Sequence, residues 1–124
     1  MGNRSTVYVI SKDHQAPIAI YGHWAGKLNV TAIVDVLKRT DRVGDSMYLT
    51  AQVFYEFAVT LGQYSGGTGF GIGTFEAVDD AWDDNPAVIL DADTGEVTYE
   101  GREYTKEAFI EWADTMTYLN GEEA

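Results

Sequence analysis

Tyr21, His23 and Trp24 are the residues of this chain best suited to chemistry or to ligand recognition. They lie in residues 18–26, IAIYGHWAG. If this stretch forms a β-strand, its period of two places Tyr21 and His23 on the same face. A phenol beside an imidazole that titrates near neutrality suits acid–base chemistry or anion binding. A histidine that is hydrogen-bonded for purely structural reasons at a strand end would give the same pattern.

Further groups near this stretch extend a candidate site for an anionic ligand. Trp24 can stack on a base or a sugar, although it can equally belong to the core. Arg4 precedes the first predicted strand and would reach the same surface if the first two strands pair; arginine suits bidentate phosphate contact. A glycine at position 26 allows close approach to the backbone. The predicted ligand-binding residues are Arg4, Tyr21, His23, Trp24, Gly26 and Lys27.

Residues 66–73 form a second unusual stretch, because glycine alternates with larger residues from Gly67 onward. As a strand it would have one face made only of glycine, which admits a helix, an aromatic ring or a ligand directly against the backbone. As a loop it could offer N–H groups to a phosphate. We predict possible backbone contacts to the ligand from Gly67, Gly69 and Gly71. The known nucleotide-binding fingerprints are absent.

No catalytic residue, metal site or cofactor is predicted. The chain has no cysteine and no serine in a G-x-S-x-G motif, so a hydrolytic triad has no support. The carboxylates of Asp79, Asp80, Asp83 and Asp84 could bind Mg²⁺ or Ca²⁺, but such clusters more often form a solvated face. These observations favour a protein that is not an enzyme, with a small histidine-dependent hydrolase as an alternative.

The net charge of −12 is unevenly distributed. Residues 1–42 contain six Lys and Arg against three Asp, whereas residues 43–124 contain two against seventeen Asp and Glu. The first segment (+3) would receive an anionic ligand, and the second (−15) would repel nucleic acid. We therefore expect no nucleic-acid partner. The acidic segment would also suit an inhibitor that binds another protein by mimicking the charge of DNA.

Periodicity and turn residues predict the element order β-β-α-α-β-β-β-α. Strands are predicted over residues 6–10, 67–75, 87–90 and 96–99. A further strand begins at Ile18, forms a hairpin with the first, and does not continue far into residues 22–27, which are rich in glycine. Asn29 is the predicted N-cap of a helix ending near Arg39, and Thr105 caps the last helix. The second helix is predicted to begin near Asp45 or Ser46 and to end before Gly62.

This order indicates one α+β domain, residues 1–124, with a mainly antiparallel sheet of about five strands and three helices. The second helix is apolar over more than half its circumference, which predicts that it is the most buried helix. No apolar run is long enough to cross a membrane, and the first residues lack the apolar region of a signal peptide. We expect a soluble, cytoplasmic protein with no membrane partner.

Residues 1–4 (MGNR) and 21–26 (YGHWAG) resemble a group of small phage and prophage proteins in which a G-N-R start precedes a Y-x-H-W-x-G motif and a helix. The resemblance covers residues 1–26 and implies a phage setting, in the cytoplasm of the infected host cell, but no established activity. Small phage proteins of this kind often act by sequestering a host signalling molecule or by blocking a host protein.

Together with the candidate residues, this resemblance predicts a non-enzymatic binding protein for a small anionic, nucleotide-like ligand, acting as a counter-defence factor. An acidic inhibitor of a host protein is the second reading and a histidine-dependent hydrolase the third. A 13.7 kDa chain has limited room for a deep pocket, so a homo-oligomer would help to enclose a ligand.

Overall fold

The structure is a computed structural model that describes residues 5–22, 28–65, 70–74 and 85–115. Along the chain these residues form β1 (Ser5–Ile10), β2 (Ile18–Gly22), α1 (Leu28–Arg39), α2 (Ser46–Ser65), β3 (Phe70–Thr74), β4 (Val88–Asp91), β5 (Val97–Tyr99), β6 (Arg102–Tyr104) and α3 (Lys106–Ala113). The predicted α+β class and the element order are confirmed, with one strand added.

The added strand is β6, which follows β5 through a two-residue turn. Glu100 and Gly101 both have positive φ, 51° and 79°, as a type I′ hairpin turn requires. Tyr99 pairs with Arg102 across this turn. The sequence signal for this hairpin is Gly101 directly after the polar residue Glu100.

The six strands form one sheet in the order β3-β2-β1-β4-β5-β6. All neighbouring pairs are antiparallel except β1 and β4, which are parallel. The predicted β1–β2 hairpin is confirmed, and its register places Ser5 opposite Gly22 and Val7 opposite Ile20. The sheet is therefore mainly antiparallel, as the short connections predicted.

The three helices pack on one face of this sheet. Because side chains alternate along a strand, Val7 and Ile20 point into the main core with residues of all three helices, including Ile33, Leu49 and Phe109. The opposite face carries a second, smaller cluster built from Tyr8, Ala19 and Ala87. Residue 21 follows the alternation of Ala19, so Tyr21 lies on the face opposite the helices.

The prediction that the second helix is the most buried one is wrong. α1 contacts β1, β4, α2 and α3, and seven of its twelve residues are buried. α2 packs mainly against α1, with smaller contacts to β2 and β3, and its outer side is exposed over residues 47–59. α2 also continues through Gly62 to Ser65, because one glycine costs a helix only about 1 kcal/mol.

Thr105 caps α3 as predicted. Its backbone is extended, and its hydroxyl oxygen accepts a hydrogen bond of 3.1 Å from the backbone N–H of Ala108. Among the helices that the structure describes, none combines the length and apolar character needed to cross a membrane.

Candidate functional site

Tyr21 and Gly71 are the predicted site residues that the structure describes. Five of the predicted ligand-binding residues lie outside the described residues, namely Arg4, His23, Trp24, Gly26 and Lys27. The same holds for Gly67 and Gly69 of the glycine-rich stretch, and for the acidic group Asp79, Asp80, Asp83 and Asp84. The geometry of the site is therefore built from Tyr21, Gly71 and the described residues around them.

The ring of Tyr21 lies against the backbone of Gly71. The two residues are paired across β2 and β3. A Cβ atom added to Gly71 would lie 2.7 Å from the Tyr21 hydroxyl oxygen and 2.8 Å from Cζ. The glycine-faced strand is thus confirmed over residues 70–74, and at Gly71 an aromatic ring occupies the space that a side chain would fill. At Gly73, in contrast, nothing lies within 4 Å of an added Cβ.

The three segments that contain Arg4, His23 and Gly69 join the sheet at one end. Ser5 pairs with Gly22, and Gly22 pairs with Phe70. These three residues are covalently bonded to Arg4, His23 and Gly69, respectively. Because neighbouring strands lie about 4.8 Å apart, the three attachment points lie within about 10 Å of one another. We call this end of the sheet, formed by Ser5, Gly22 and Phe70, the β1-start end.

Asn29 connects the β1-start end to the beginning of β4. Its side-chain Nδ2 donates to the carbonyl oxygens of Thr6 at 3.1 Å and Pro86 at 2.9 Å, and the residue is fully buried. Its Oδ1 accepts from the backbone N–H of Val30 at 2.9 Å. The predicted N-cap role is therefore wrong, because α1 begins at Leu28 and the amide joins β1 to the segment before β4 instead.

Ser5 adds a polar group at the same end. It is fully buried on the helix-covered side of β1, and its hydroxyl has no hydrogen-bond partner within the described part of the chain. A buried hydroxyl without a partner costs free energy, so proteins usually satisfy such groups. This serine was not singled out from the sequence, where an isolated serine at a strand start carries no signal.

The opposite end of β1 and β4 is a hydrogen-bonded structural junction. Parallel strands whose connections leave in opposite directions commonly form a ligand crevice at their carboxyl ends. Here Ala92 N–H donates to the carbonyl of Ile10 at 2.8 Å. The Asp93 carboxylate accepts from Lys12 N–H at 2.8 Å and from the Ser11 hydroxyl at 2.9 Å. These bonds join the two strand ends, and a pocket of about 140 Å³ lined by Ile10, Ile89 and Asp91 remains beside them.

The same hydrogen bonds change the ionisation of Asp93. The Lys12 backbone N–H first, and then the Ser11 hydroxyl, lower the pKa of the Asp93 carboxyl below its ordinary value of 3.8. Burial acts in the opposite direction with a smaller effect than these two hydrogen bonds, and the charges of Lys12 and His14 make the smallest contributions to lowering the pKa. The ionised carboxylate is thus the form that this junction stabilises.

The described residues contain no group of three or more His, Asp or Glu side chains that could hold a metal ion. A cavity of about 220 Å³ lies between α1 and α2, where Arg39 forms an ion pair with Glu56. This volume is below the range of about 300–1,000 Å³ that is usual for small-molecule sites.

Comparison of this chain with models of protein families, with curated proteins and with solved structures gives no match.

Proposed function

We propose that this protein binds a small anionic, nucleotide-like ligand at the β1-start end and does not transform it. One observation carries the proposal: the three segments that contain the predicted ligand-binding residues are bonded to Ser5, Gly22 and Phe70, which are adjacent across the sheet. A guanidinium, an imidazole and an indole, supplied by Arg4, His23 and Trp24, together offer charge and stacking suited to a phosphate and a base.

The charge distribution supports an anionic ligand at this end. Residues 1–42 carry a charge of +3, and the remainder of the chain carries −15. An anion would therefore be guided away from the acidic segment and toward the segment that contains β1 and β2.

Tyr21 would contribute a rigid aromatic wall on the face opposite the helices. Its ring is placed against β3 by the absence of a side chain at Gly71. A ring held in this way loses little conformational freedom when a ligand contacts it, which favours binding.

The biological role that we propose is sequestration. The resemblance of residues 1–26 to phage and prophage proteins favours a role in an infected cell. In such a cell, a protein that binds a host nucleotide signal without converting it would lower the free concentration of that signal by one molecule for each occupied site. This is the proposed counter-defence activity.

Thermal unfolding of the purified protein against linear nucleotides, cyclic nucleotides and ADP-ribose derivatives tests the proposal. A ligand at about 100 times its Kd adds about 2.7 kcal/mol to the free energy of unfolding, and shifts Tm by several degrees. Arg4→Ala and His23→Ala should abolish the shift. Arg102→Ala is the matched control, because Arg102 is an exposed arginine on β6 at the far edge of the sheet.

Other outcomes separate the alternatives. Consumption of a nucleotide that stops in the His23→Ala variant would indicate a hydrolase and overturn the proposal. Absence of a shift with every compound would also overturn it, and would direct attention to a protein partner for the acidic segment.

A further inference from the structure

The outer side of α2 carries a continuous apolar stripe. Met47, Tyr48, Tyr55 and Val59 are 73%, 56%, 65% and 44% exposed. Ala51 is exposed between them. At 100° per residue these five positions fall within one third to one half of the helix circumference. We call these five residues the α2 stripe.

The α2 stripe contains no charge. Of the twenty residues of α2, Glu56 is the one charged residue, and its carboxylate is nearly buried against Arg39. A helix at the surface of a monomer normally has a polar outer face. α2 instead presents apolar residues both to the core and outward, which is typical of a helix that is covered on both sides.

Arg42, at one end of the stripe, lies between two carboxylates of its own chain. Arg42 lies 3.7 Å from the carboxylate of Asp41 and 3.6 Å from that of Asp45, and its guanidinium lies 4.5 Å from the centre of the Tyr48 ring. Arg42 is therefore engaged within its own chain and does not select an acidic partner. A second copy of the chain, which shares the net charge of −12, could approach here without like charges facing each other.

The spacing of the residues in the α2 stripe allows two copies of the helix to pack against each other. Met47 and Tyr55 lie four residues before and after Ala51. In an antiparallel pair of α2 helices that cross at Ala51, Met47 of each chain would face Tyr55 of the partner subunit, which pairs a thioether with an aromatic ring twice. The small side chain of Ala51 allows the helix axes to approach to about 8 Å.

We propose that the protein forms a symmetric dimer through the α2 stripe, with the two α2 helices antiparallel and Ala51 at the twofold axis. An open depression of about 420 Å³, lined by Met47, Tyr48, Ala51, Gln52 and Tyr55, would receive the side chains of the second copy. This surface lies on a helix that does not contribute residues to the proposed ligand site, so the dimer and the ligand proposal are tested separately.

The size of the α2 stripe determines the expected affinity of the dimer. Residues 47–59 span about 18 Å along the helix axis. The exposed parts of the four large side chains amount to roughly 500 Å², compared with about 800 Å² per partner in a standard interface. We therefore expect a reversible dimer with a Kd of about 1–100 µM.

Sedimentation equilibrium of the full chain, from about 1 µM to about 1 mM, measures this directly. The average mass should rise with concentration from 13.7 kDa toward twice that value. Ala51→Glu places two carboxylates at the twofold axis and should weaken the dimer at least tenfold. Ala108→Glu is the matched control, because Ala108 is also an exposed alanine in a helix, and it should leave the dimer unchanged.

Engineered cysteines test the orientation, since the chain has no cysteine of its own. Ala51→Cys should form an intermolecular disulfide under mild oxidation. Met47→Cys should not, because two residues at position 47 would lie about 12 Å apart along an antiparallel pair, beyond disulfide reach. A chain that is monomeric at all concentrations would overturn the proposal. A dimer unaffected by Ala51→Glu, in a variant whose melting shows that it is folded, would also overturn it.

Discussion

The Tyr21 ring occupies the space that a side chain would take at Gly71, with the phenol oxygen 2.7 Å from the position of an added Cβ. Gly71→Ala should therefore displace the ring. Because the clash involves the far end of a side chain that can rotate, we expect the ring to move and the free energy of unfolding to fall by about 1 kcal/mol or less. Urea unfolding measures this change.

Gly73→Ala is the matched control in the same strand, since nothing lies within 4 Å of its added Cβ. It should leave stability unchanged or raise it by about 0.5 kcal/mol, because alanine loses less backbone entropy than glycine on folding. If both variants lose the same stability, the contact between Tyr21 and Gly71 does not explain the glycine at position 71. In a Tyr21→Ala background, the cost of Gly71→Ala should disappear.

Asn29 holds β1 and the segment before β4 together, so Asn29→Ala should destabilise the protein by about 2–3 kcal/mol. The substitution removes the donor to two carbonyl oxygens, those of Thr6 and Pro86, in a fully buried position. Asn29→Asp should cost at least as much at pH 7, because a carboxylate would face both carbonyls without a proton to donate. Chemical denaturation gives both values.

A surface polar contact serves as the comparison for Asn29. Lys38 lies 3.4 Å from Asp114, and both side chains are about half exposed. Lys38→Ala should change stability by no more than about 0.5 kcal/mol. If Asn29→Ala changes stability by as little as this, the hydrogen bonds of the Asn29 amide do not hold β1 and the segment before β4 together.

Asp93 should make stability depend on pH in the acid range. Its pKa is lowered in the folded protein, so its contribution is complete above the ordinary value of 3.8. That contribution declines as the pH falls through the lower folded-state pKa. Asp93→Asn should therefore be less stable than the unsubstituted chain at pH 7, and the difference should vanish in strong acid. Thermal unfolding at a series of pH values measures this.

Glu103→Gln provides the control for Asp93→Asn, because Glu103 is an exposed carboxylate on β6. Replacing the Glu103 carboxylate should leave the pH dependence of stability the same as in the unsubstituted chain. A stability difference for Asp93→Asn that is constant from pH 7 to strong acid would contradict the role assigned to the ionised carboxylate.

The ion pair between Arg39 and Glu56 is asymmetric, since the Arg39 side chain is 63% exposed and that of Glu56 is 11% exposed. Arg39→Ala leaves a nearly buried carboxylate without its partner and should cost about 1–2 kcal/mol. Glu56→Gln leaves only an exposed guanidinium, which water can solvate, and should cost less than 1 kcal/mol. If both variants lose the same free energy of unfolding, as measured with a denaturant, the predicted difference between Arg39→Ala and Glu56→Gln is wrong.

The sequence was sufficient to predict the elements whose signals are local. The strands β1 and β2, the cap at Thr105 and the helix that ends at Arg39 depend on residues within a few positions of one another, and the structure confirms them. The α+β class and the mainly antiparallel sheet follow from the short connections between these elements. The placement of Tyr21 on the face opposite Ile20 also follows from the period of two along a strand.

Tertiary structure decided the features that depend on residues distant in the chain. The parallel pairing of β1 with β4, the bonds from Asn29 to Thr6 and Pro86, and the Asp93 junction join positions separated by 23 to 82 residues, for which one sequence carries no signal. The apolar residues of α2 cover more than half its circumference, so the sequence could not show which apolar side faces the core. That choice depends on where the sheet and α1 lie, because burial is determined by the neighbours that an element meets after folding.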